Sequence, residues 1–306
     1  MIEVKELKKS YGSIEALKGI SFSVNEGEIF GLLGPNGAGK TTTISILAGL
    51  ILQDSGEVSV AGMDVRKESR KIKQIMGVVP QEIALYEELT GRENLHFWGS
   101  LYGLSGSRLR EQTQRMLELV ELAERADDPV QSYSGGMKRR LNLIVGLLHE
   151  PKVVLLDEPT LGIDPQARLK ILEIIKNEVS KGTTIIYTTH YLDEAERLCD
   201  RIAIIDSGRI LSIGTLEELA KIAGEEDRVT ILGNFMAGDV GELMKGVNLE
   251  YVRDGECRFS TPESELVGEV LERFFRSGIK VENIRIDKPS LESAFVKLTG
   301  RDIMDN

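Results

Sequence analysis

The sequence predicts an α/β protein with a mainly parallel sheet, an antiparallel β subdomain, an inserted helical subdomain and a small α+β domain at the end. Three observations predict this fold. Short apolar runs alternate with segments of helical periodicity, as βαβ units require. A glycine-rich turn joins one such apolar run to the helix after it. After residue 224 the pattern becomes βαββαβ, which is typical of a ferredoxin-like domain. We therefore predict domains at residues 1–224 and 225–306.

The front of the chain is predicted to form two antiparallel strands. Apolar and charged residues alternate from Ile2 to Lys8 and again from Ile20 to Val24, with the Gly12-Ser13 turn between them. Tyr11 closes the first strand. Two interpretations of Tyr11 remain: a surface residue at a strand end, or an aromatic ring that stacks on an adenine base. The loop described next favours the second.

The segment GPNGAGKTT matches the phosphate-binding loop pattern G-x-x-x-x-G-K-[ST] between a strand and a helix. Its glycines admit positive φ, so backbone N–H groups can turn inward around a polyphosphate, and the helix N-terminus adds more such groups. The pattern places Lys40 on the β- and γ-phosphates and Thr41 on Mg²⁺. The pattern therefore predicts a phosphate-loop NTPase core. The predicted nucleotide-binding residues are Tyr11, Gly34, Pro35, Asn36, Gly37, Ala38, Gly39, Lys40, Thr41 and Thr42.

Two further apolar strands end in polar side chains. Gln81 closes the strand that begins at Ile75, and its amide oxygen can bind a metal ion or the attacking water. The run Lys152 to Thr160 reads as a buried central strand that ends in Asp157 and Glu158. Because successive side chains on a strand point to opposite sides, the two carboxylates are expected to do different jobs. One can hold Mg²⁺ through water, and the other can orient or deprotonate the water that attacks the γ-phosphate.

Residues 82–132 show helical spacing and no strand pattern, which predicts a helical subdomain extending to about residue 150. Ser134, Gly135 and Gly136 then precede a helix expected from about Lys138 to Leu148. A hydroxyl and free N–H groups at a helix N-terminus suit an anion. Judged alone, however, an ordinary N-cap with a flexible lead-in is the preferred interpretation.

The strand Thr183 to His190 delivers another polar side chain to the end of the sheet. Helical runs at Gln166 to Ser180 and Tyr191 to Cys199 flank it, so its carboxyl end lies at the edge where open α/β sheets bind ligands. His190 is therefore a candidate contact for the γ-phosphate.

Composition excludes several classes of protein. The apolar stretch near Ile44 to Leu52 is far shorter than the roughly 20 residues that cross a bilayer, and the first residues do not resemble a signal peptide. A cytoplasmic location is expected. With a net charge of -11, the chain lacks the basic surface of a nucleic-acid binder, so we predict no nucleic-acid partner. Cys199 and Cys257 have no metal-ligand spacing and are expected to be structural thiols.

The order of these motifs resembles that of the ATP-binding cassette (ABC) transporter ATPase subunit, across residues 1–224. The resemblance implies a subunit that binds and hydrolyses ATP with Mg²⁺ and drives a separate transmembrane permease subunit. It also implies a second cassette stacked head to tail, expected to be a homodimer partner. Tyr133 and Met137 depart from the usual Leu and Gln of the signature but leave its anion-binding residues intact. The matching features are Tyr11, Gly34 to Thr42, Gln81, Ser134 to Lys138, LLDEP, LGIDP and His190.

The resemblance implies a role for each matching residue. Glu158 would be the general base and His190 would contact the γ-phosphate, while Asp164 would communicate across the dimer. The signature residues Ser134, Gly135 and Gly136 would bind the γ-phosphate of the ATP that the partner holds. The implied catalytic residues are Lys40, Gln81, Glu158 and His190. The implied Mg²⁺ ligands are Thr41, Gln81 and Asp157.

The closing stretch Lys288 to Arg301 resembles the tail of cassette subunits of the drug, antibiotic or sodium export type. This resemblance implies an exporter component on the inner face of the cell membrane. The alternative is a soluble ABC ATPase that acts on nucleic acid or ribosomes. A non-catalytic cassette is a third possibility, which the intact Lys40, Glu158 and His190 disfavour. Coupling to the permease is expected after Gln81, where Leu85, Tyr86 and Leu89 either face outward or belong to the subdomain core.

Overall fold

The computed structural model describes residues 1–222, 227–261, 264–287 and 290–300. It divides into two compact units, one from Met1 to Thr215 and one from Leu216 onward. The sequence analysis drew its boundary after residue 224. The short helix that begins at Leu216 therefore belongs to the second unit.

The first unit contains ten strands and seven α-helices in its described residues. The strands are β1 (Ile2–Tyr11), β2 (Ile14–Val24), β3 (Ile29–Leu33), β4 (Ser55–Val60), β5 (Met63–Asp64), β6 (Met76–Val79), β7 (Val153–Asp157), β8 (Thr184–Thr189), β9 (Arg201–Asp206) and β10 (Arg209–Gly214). The helices are α1 (Lys40–Leu47), α2 (Ser69–Ile75), α3 (Gly91–Leu101), α4 (Gly106–Leu119), α5 (Gly135–Leu147), α6 (Pro165–Ser180) and α7 (Leu192–Leu198).

The central sheet has the strand order β10-β9-β3-β8-β7-β6 and is parallel except for the β9/β10 pair. Every residue of β3, β7 and β8 is buried, as expected for parallel strands covered on both faces. Alternate residues serve two cores: Val153 and Leu155 pack in one, while Val154 and Leu156 pack in the other. The predicted α/β fold class is confirmed. The carboxyl ends of β3, β8, β7 and β6 thus lie side by side along one edge.

The antiparallel sheet has the order β2-β1-β4-β5. Ile2 lies between Val24 on β2 and Val60 on β4, and all three side chains are buried. Strand β1 ends at Tyr11, as predicted, whereas β2 begins at Ile14, earlier than the predicted Ile20. The predicted Gly12-Ser13 turn joins them.

The helical subdomain consists of α3, α4 and α5, with two short 3-10 turns at Ala123–Arg125 and Val130–Ser132. A capping box between Thr90 and Glu93 begins α3. Helix α5 begins at Gly135, earlier than the predicted Lys138, because the Ser134 hydroxyl caps it by accepting from the Met137 N–H at 3.3 Å. The sequence analysis missed α2, whose one buried residue is Ile72 and whose other residues are half-buried or exposed.

The second unit contains α8 (Leu216–Ile222), β11 (Asp227–Gly233), β12 (Asn248–Arg253), β13 (Glu256–Thr261), α9 (Ser264–Arg276), β14 (Val281–Asp287) and α10 (Leu291–Thr299). Its sheet is antiparallel in the order β12-β13-β11-β14, which agrees with the predicted ferredoxin-like topology. The first helix of the predicted βαββαβ pattern, expected at Asp239 to Lys245, is wrong, because a 3-10 turn at Ala237–Asp239 and further turns connect β11 to β12. Glycines 238, 241 and 246 disfavour a helix there. Across the described ranges, no helix combines the length and apolarity needed to cross a bilayer.

Candidate nucleotide-binding site

The loop from Gly34 to Gly39 forms a cradle of backbone groups between β3 and α1. The Gly34 N–H donates to the Thr189 carbonyl at 3.3 Å, and the Ala38 N–H closes a turn on the Pro35 carbonyl at 3.2 Å. Within the described residues, the N–H groups of Gly37 and of residues 39–42 donate to no acceptor. Free N–H groups at a helix N-terminus are what an anion site requires.

Two of the loop glycines are required by close packing. A Cβ atom on Gly34 would lie 2.1 Å from the Ile205 carbonyl oxygen on β9. Gly39 has a φ of +108°, and a Cβ there would lie 2.8 Å from the Ala16 carbonyl oxygen on β2. Both sheets therefore hold the loop in place, so a phosphate would meet a preformed cradle.

The Lys40 side chain is folded into this loop and is only 5% exposed. Its Nζ donates to the carbonyl oxygens of Gly34 at 2.6 Å and Pro35 at 3.0 Å, and it lies 3.0 Å from Glu158 Oε1. All three N–H donors of the ammonium thus have acceptors. An incoming polyphosphate competes with these acceptors for the same cation.

The two predicted acids follow one another at the end of β7 and have different partners. Asp157 Oδ1 accepts from the Thr188 hydroxyl at 2.7 Å, while the Glu158 N–H donates to that hydroxyl oxygen at 3.0 Å. Glu158 has a φ of +45°, a left-handed conformation that costs free energy in a residue other than glycine. The backbone turn points the Glu158 carboxylate toward Lys40 and His190, so the two acids have different partners, although this turn after β7, and not the alternation of side chains along a strand, separates them.

His190 follows β8, and its Nδ1 lies 3.3 Å from Glu158 Oε2. Neither atom has an aligned hydrogen-bond partner in the described part of the chain, so this contact is an ion-pair distance and not a formed hydrogen bond. Burial raises the pKa of Glu158, but His190 and Lys40 outweigh burial and hold that pKa below its ordinary value. Glu158 is therefore ionised at neutral pH, with one oxygen free to accept a proton.

The predicted metal ligands supply oxygen donors of the kind that Mg²⁺ prefers. Thr41 is exposed in the first turn of α1, and Gln81 is half-buried two residues beyond β6. Asp157 uses one carboxylate oxygen for Thr188, and its other oxygen accepts from no donor among the described residues. This donor set fits Mg²⁺. The described residues contain no group of three or more His, Cys, Asp or Glu that could hold a metal.

The remaining predicted contacts are accessible. Tyr11 is 49% exposed at the end of β1. Lys9 Nζ lies over its ring, 5.7 Å from the centroid, and the exposed part of the ring can stack on a base. Ser134 and Gly135 lie at the start of α5, and a Cβ on Gly135 would meet no atom within 4 Å. Asp164 caps α6 by accepting from the Gln166 and Ala167 N–H groups at 3.0 Å each. Tyr133, which departs from the usual signature, is buried in the subdomain core.

Sequence reasoning missed a buried hub at Glu194 on α7, whose side chain is fully buried. Its carboxylate accepts from the hydroxyls of Thr160, Tyr187 and Thr189 at 2.6 to 2.8 Å, and from Arg168 Nε at 2.6 Å. The sequence offered one signal of this burial: Glu194 lies beside Ala195 on the apolar face of a short helix. The hub ties the end of β8, which precedes His190, to the turn that follows Glu158.

Comparison with known proteins is consistent with this geometry. Residues 17–161 match the family model described as ABC transporter. The chain is 44% identical to the linearmycin resistance ATP-binding protein of Bacillus subtilis, over all of both chains. It is 38% identical to a daunorubicin resistance ATP-binding protein of Streptomyces coeruleorubidus, over 98% of this chain and 96% of the relative. It is 36% identical to the Nod factor export ATP-binding protein I of Ralstonia nicotianae, over 100% and 95% of the two chains.

Two solved structures are similar to the chain. One is the ATP-binding subunit of an ABC transporter, with a TM-score of 0.68 and 34% identity over 73% of this chain and 93% of that structure. The other is a dimeric, post-hydrolysis ATP-binding cassette with bound ADP and Pi, with a TM-score of 0.65 and 28% identity over 70% and 98% of the two chains.

Proposed function

Because the chain belongs to the ABC transporter family, we propose that it is the ATPase subunit of an exporter and acts on a separate membrane-spanning partner. It binds and hydrolyses ATP. The observation that carries this function is the buried cluster of Lys40, Glu158 and His190 beside a loop of free N–H groups. The relatives named for drug resistance and Nod factor export support an exporter over the soluble alternative.

Catalysis follows from an exchange of partners at Lys40. The triphosphate accepts hydrogen bonds from the free N–H groups of the loop and takes the Lys40 ammonium from Glu158. Glu158 then accepts the proton of the water that attacks the γ-phosphorus, while the bond from that phosphorus to the bridging oxygen breaks to give ADP and phosphate. His190 contacts the γ-phosphate from the other side of Glu158. The residues contribute chiefly position and charge, as is general for phosphoryl transfer.

We assign the Mg²⁺ site to Thr41, Gln81 and Asp157, because these residues offer a hydroxyl, an amide and a carboxylate oxygen. The ion would supply charge neutralisation on the β- and γ-phosphates. Thr188 orients the Asp157 carboxylate. Ser134, Gly135 and Gly136 are proposed to bind the ATP of a second, identical cassette, because Ser134 and Gly135 are exposed at the start of α5 and a helix N-terminus suits a phosphate. The solved dimeric cassette supports this arrangement.

The partner surface is proposed to be an apolar pocket between β6 and the helical subdomain, about 320 Å³ in volume. Its lining residues include Leu50, Met76, Pro80, Trp98 and Tyr102. Leu50 is 67% exposed, and further apolar side chains are exposed on neighbouring segments at Ile83, Tyr86, Phe97 and Leu101. A patch of this kind marks an interaction site on a soluble unit.

The residues expected to contact the permease partly face outward. Tyr86 is exposed, while Leu85 and Leu89 are half-buried, and Leu85 packs on the subdomain core. The occupant we propose for the pocket is a cytoplasmic segment of the membrane partner that presents an apolar side chain. The chain would then lie on the inner face of the cell membrane without crossing it.

The experiment compares Leu50→Asp with Leu211→Asp, an exposed leucine on β10 at the opposite edge of the central sheet from β6. Each full-length variant is expressed in cells that contain the membrane partner, and its membrane-bound fraction and its ATPase rate after purification are measured. We expect Leu50→Asp to lose membrane association and keep its ATPase rate, and Leu211→Asp to keep both. Equal association of the two variants would refute the pocket, whereas absence of ATPase activity in the unmodified chain would refute the function itself.

A further inference from the structure

His190 lies in a bend between β8 and α7 that one hydroxyl group holds from both sides. The Thr189 hydroxyl oxygen accepts from the Tyr191 N–H at 2.9 Å and donates to Glu194 Oε2 at 2.8 Å. The Thr189 carbonyl oxygen accepts from the Gly34 N–H at 3.3 Å. The backbone on either side of His190 is thus fixed to α7 and to the phosphate loop.

The bend brings the side chains of two consecutive residues together. The centroids of the His190 imidazole and the Tyr191 ring lie 4.1 Å apart, and the two ring planes are inclined by 41°. Consecutive side chains along an extended strand point to opposite faces, so this contact exists only because the chain turns at His190. Both residues are half-buried, and the Tyr191 ring covers part of the imidazole.

The Tyr191 ring also lies against a guanidinium that is itself held in place. Arg168 Cζ on α6 lies over the ring, 4.7 Å from its centroid, which is a cation–π distance. Arg168 Nε donates to Glu194 Oε1 at 2.6 Å, and Nη2 donates to the two carboxylate oxygens of Asp193 at 2.8 and 2.9 Å. Because the guanidinium fork is rigid, two carboxylates of α7 fix its plane. That plane in turn limits where the Tyr191 ring can lie.

The orientation of the imidazole depends on such contacts. His190 Nδ1 lies 3.3 Å from Glu158 Oε2, but no aligned hydrogen bond holds Nδ1 within the described residues. The outer side-chain torsion of histidine is broad and roughly two-fold, so a torsional minimum does not select one orientation. Contact on the ring must select it, and the Tyr191 ring supplies that contact.

We propose that Tyr191 is a positioning residue for ATP hydrolysis, which sets the orientation of His190 toward Glu158 and the γ-phosphate. The buried hub on α7 supports this arrangement by two routes. It fixes the backbone around the imidazole through the Thr189 hydroxyl, and it fixes the Tyr191 ring through the arginine of α6. Tyr191 acts through His190 and not on ATP itself. This inference rests on the ATPase function proposed above.

Conservative replacement separates this role from simple packing. Phenylalanine at position 191 keeps the ring and the N–H that Thr189 accepts from, whereas leucine keeps the N–H and an apolar side chain but removes the ring. Tyr251 on β12 offers a matched control in the second unit. Its ring also lies against guanidinium groups, with the Cζ atoms of Arg253 and Arg258 each 5.2 Å from its centroid.

The test compares Tyr191→Leu, Tyr191→Phe and Tyr251→Leu in the full-length chain. The sequence contains three histidines, so a chain isotope-labelled at histidine Cε1 alone gives three NMR signals, and His190→Gln identifies the one from His190. An aromatic ring shifts the signal of an atom that lies over its face, so this signal reports the contact with Tyr191 directly. The other measurements are kcat and KM for ATP, and the Tm.

We expect Tyr191→Leu to remove the ring shift from the His190 signal. Its kcat should fall about 10- to 100-fold with KM within about threefold, as for a misplaced catalytic group. Tyr191→Phe should keep both the signal and kcat, because the ring remains. Tyr251→Leu should match the unmodified chain in both readouts.

Several outcomes would overturn the inference. An unchanged His190 signal in Tyr191→Leu would show that the ring does not orient the imidazole, and a moved signal with unchanged kcat would show that this orientation does not affect hydrolysis. Equal losses of kcat in Tyr191→Leu and Tyr191→Phe would assign the effect to the hydroxyl and not to the ring. If Tyr191→Leu does not fold, Tyr191→Met carries the comparison. Failure of ATP hydrolysis by the unmodified chain would instead refute the proposed function, while the NMR signal would still test the contact.

Discussion

Replacing Glu158 with glutamine is the most informative single change, because Glu158 touches both Lys40 and His190. The substitution keeps the shape of the side chain and removes its charge. We expect two opposite effects: turnover falls, since an amide cannot accept the proton of the attacking water, and ATP binds more tightly, since Lys40 is released and a negative charge facing the phosphates is lost.

The size of each effect follows from the geometry. Two unit charges 3.0 Å apart, as in the Lys40–Glu158 pair, attract by about 5 kcal/mol at an effective dielectric constant of about 20. In the unmodified chain, attraction between Lys40 and the phosphates replaces most of the attraction that Lys40 loses when it leaves Glu158. We therefore expect Glu158→Gln to strengthen ATP binding by about 1–2 kcal/mol, which is about 5- to 30-fold in Kd. Loss of a general base lowers turnover by about 10²- to 10⁴-fold.

The assay measures kcat from phosphate release and Kd from ATP titration with Mg²⁺ present. Glu28→Gln is the matched control, because Glu28 is also a buried glutamate paired with a cation, 3.2 Å from Arg201. Glu28 lies at the amino end of β3, whereas the phosphate loop follows the carboxyl end of the same strand. Glu28→Gln should keep kcat and Kd. Turnover of Glu158→Gln within tenfold of the unmodified chain, or weaker ATP binding, would refute the assignment of Glu158 as base and as competitor for Lys40.

Three further changes test the site by other routes. Lys40→Ala should abolish tight ATP binding, and micromolar affinity in a titration would contradict the phosphate-loop assignment. Gly34→Ala should lower Tm and ATP affinity together, because its Cβ would lie 2.1 Å from the Ile205 carbonyl; unchanged values in thermal melts and titration would refute the tight packing. Glu194→Gln should destabilise the fold by about 1–3 kcal/mol in urea unfolding, since an amide nitrogen cannot accept from the buried hydroxyls that a carboxylate oxygen of Glu194 serves; a loss under about 0.5 kcal/mol would mean that these hydrogen bonds are dispensable.

The pH dependence of stability provides a separate check on the Glu158 pair. The pKa of Glu158 is lower in the folded protein than its ordinary value. The pairing of Glu158 with Lys40 and His190 therefore stabilises the fold fully at pH values above that ordinary pKa. The stabilisation is lost as pH falls through the lowered pKa. The Tm difference between the unmodified chain and Glu158→Gln should therefore be constant near neutral pH and shrink below about pH 4. A difference that stays constant down to the lowest pH at which both proteins fold would mean that packing, and not charge, accounts for it.

The sequence predicted the parts of this fold that depend on local pattern. The apolar runs Val153 to Leu156 in β7 and Ile185 to Tyr187 in β8 identified central strands. The glycines and lysine of Gly34 to Thr42 identified the loop. Their polar end residues could be assigned to one edge because parallel strands share an edge for their carboxyl ends. Helix α2 was missed because a surface helix with one buried residue, Ile72, leaves almost no periodic signal.

Other features depend on contacts between distant residues and left no local signal. The positive φ of Glu158 arises from the turn that Thr188 holds, and Thr188 lies on a different strand. In the sequence, Arg139 is one of three consecutive basic residues near the start of a predicted helix. Its contacts are visible only when Gln81 and Leu161, remote in the chain, are brought to its guanidinium.

The strand order also has a consequence for the synthesis of the protein. Strand β3, which leads into the phosphate loop, pairs only with β8 and β9 among the described residues. Those strands end at Thr189 and Asp206, far later in the chain. The ribosome therefore synthesises the whole loop long before it synthesises β8 and β9. Until then the apolar β3 has no strand from this sheet to pair with. Growing chains should gain affinity for ATP late and abruptly, and until then β3 is a site for chaperones or for aggregation.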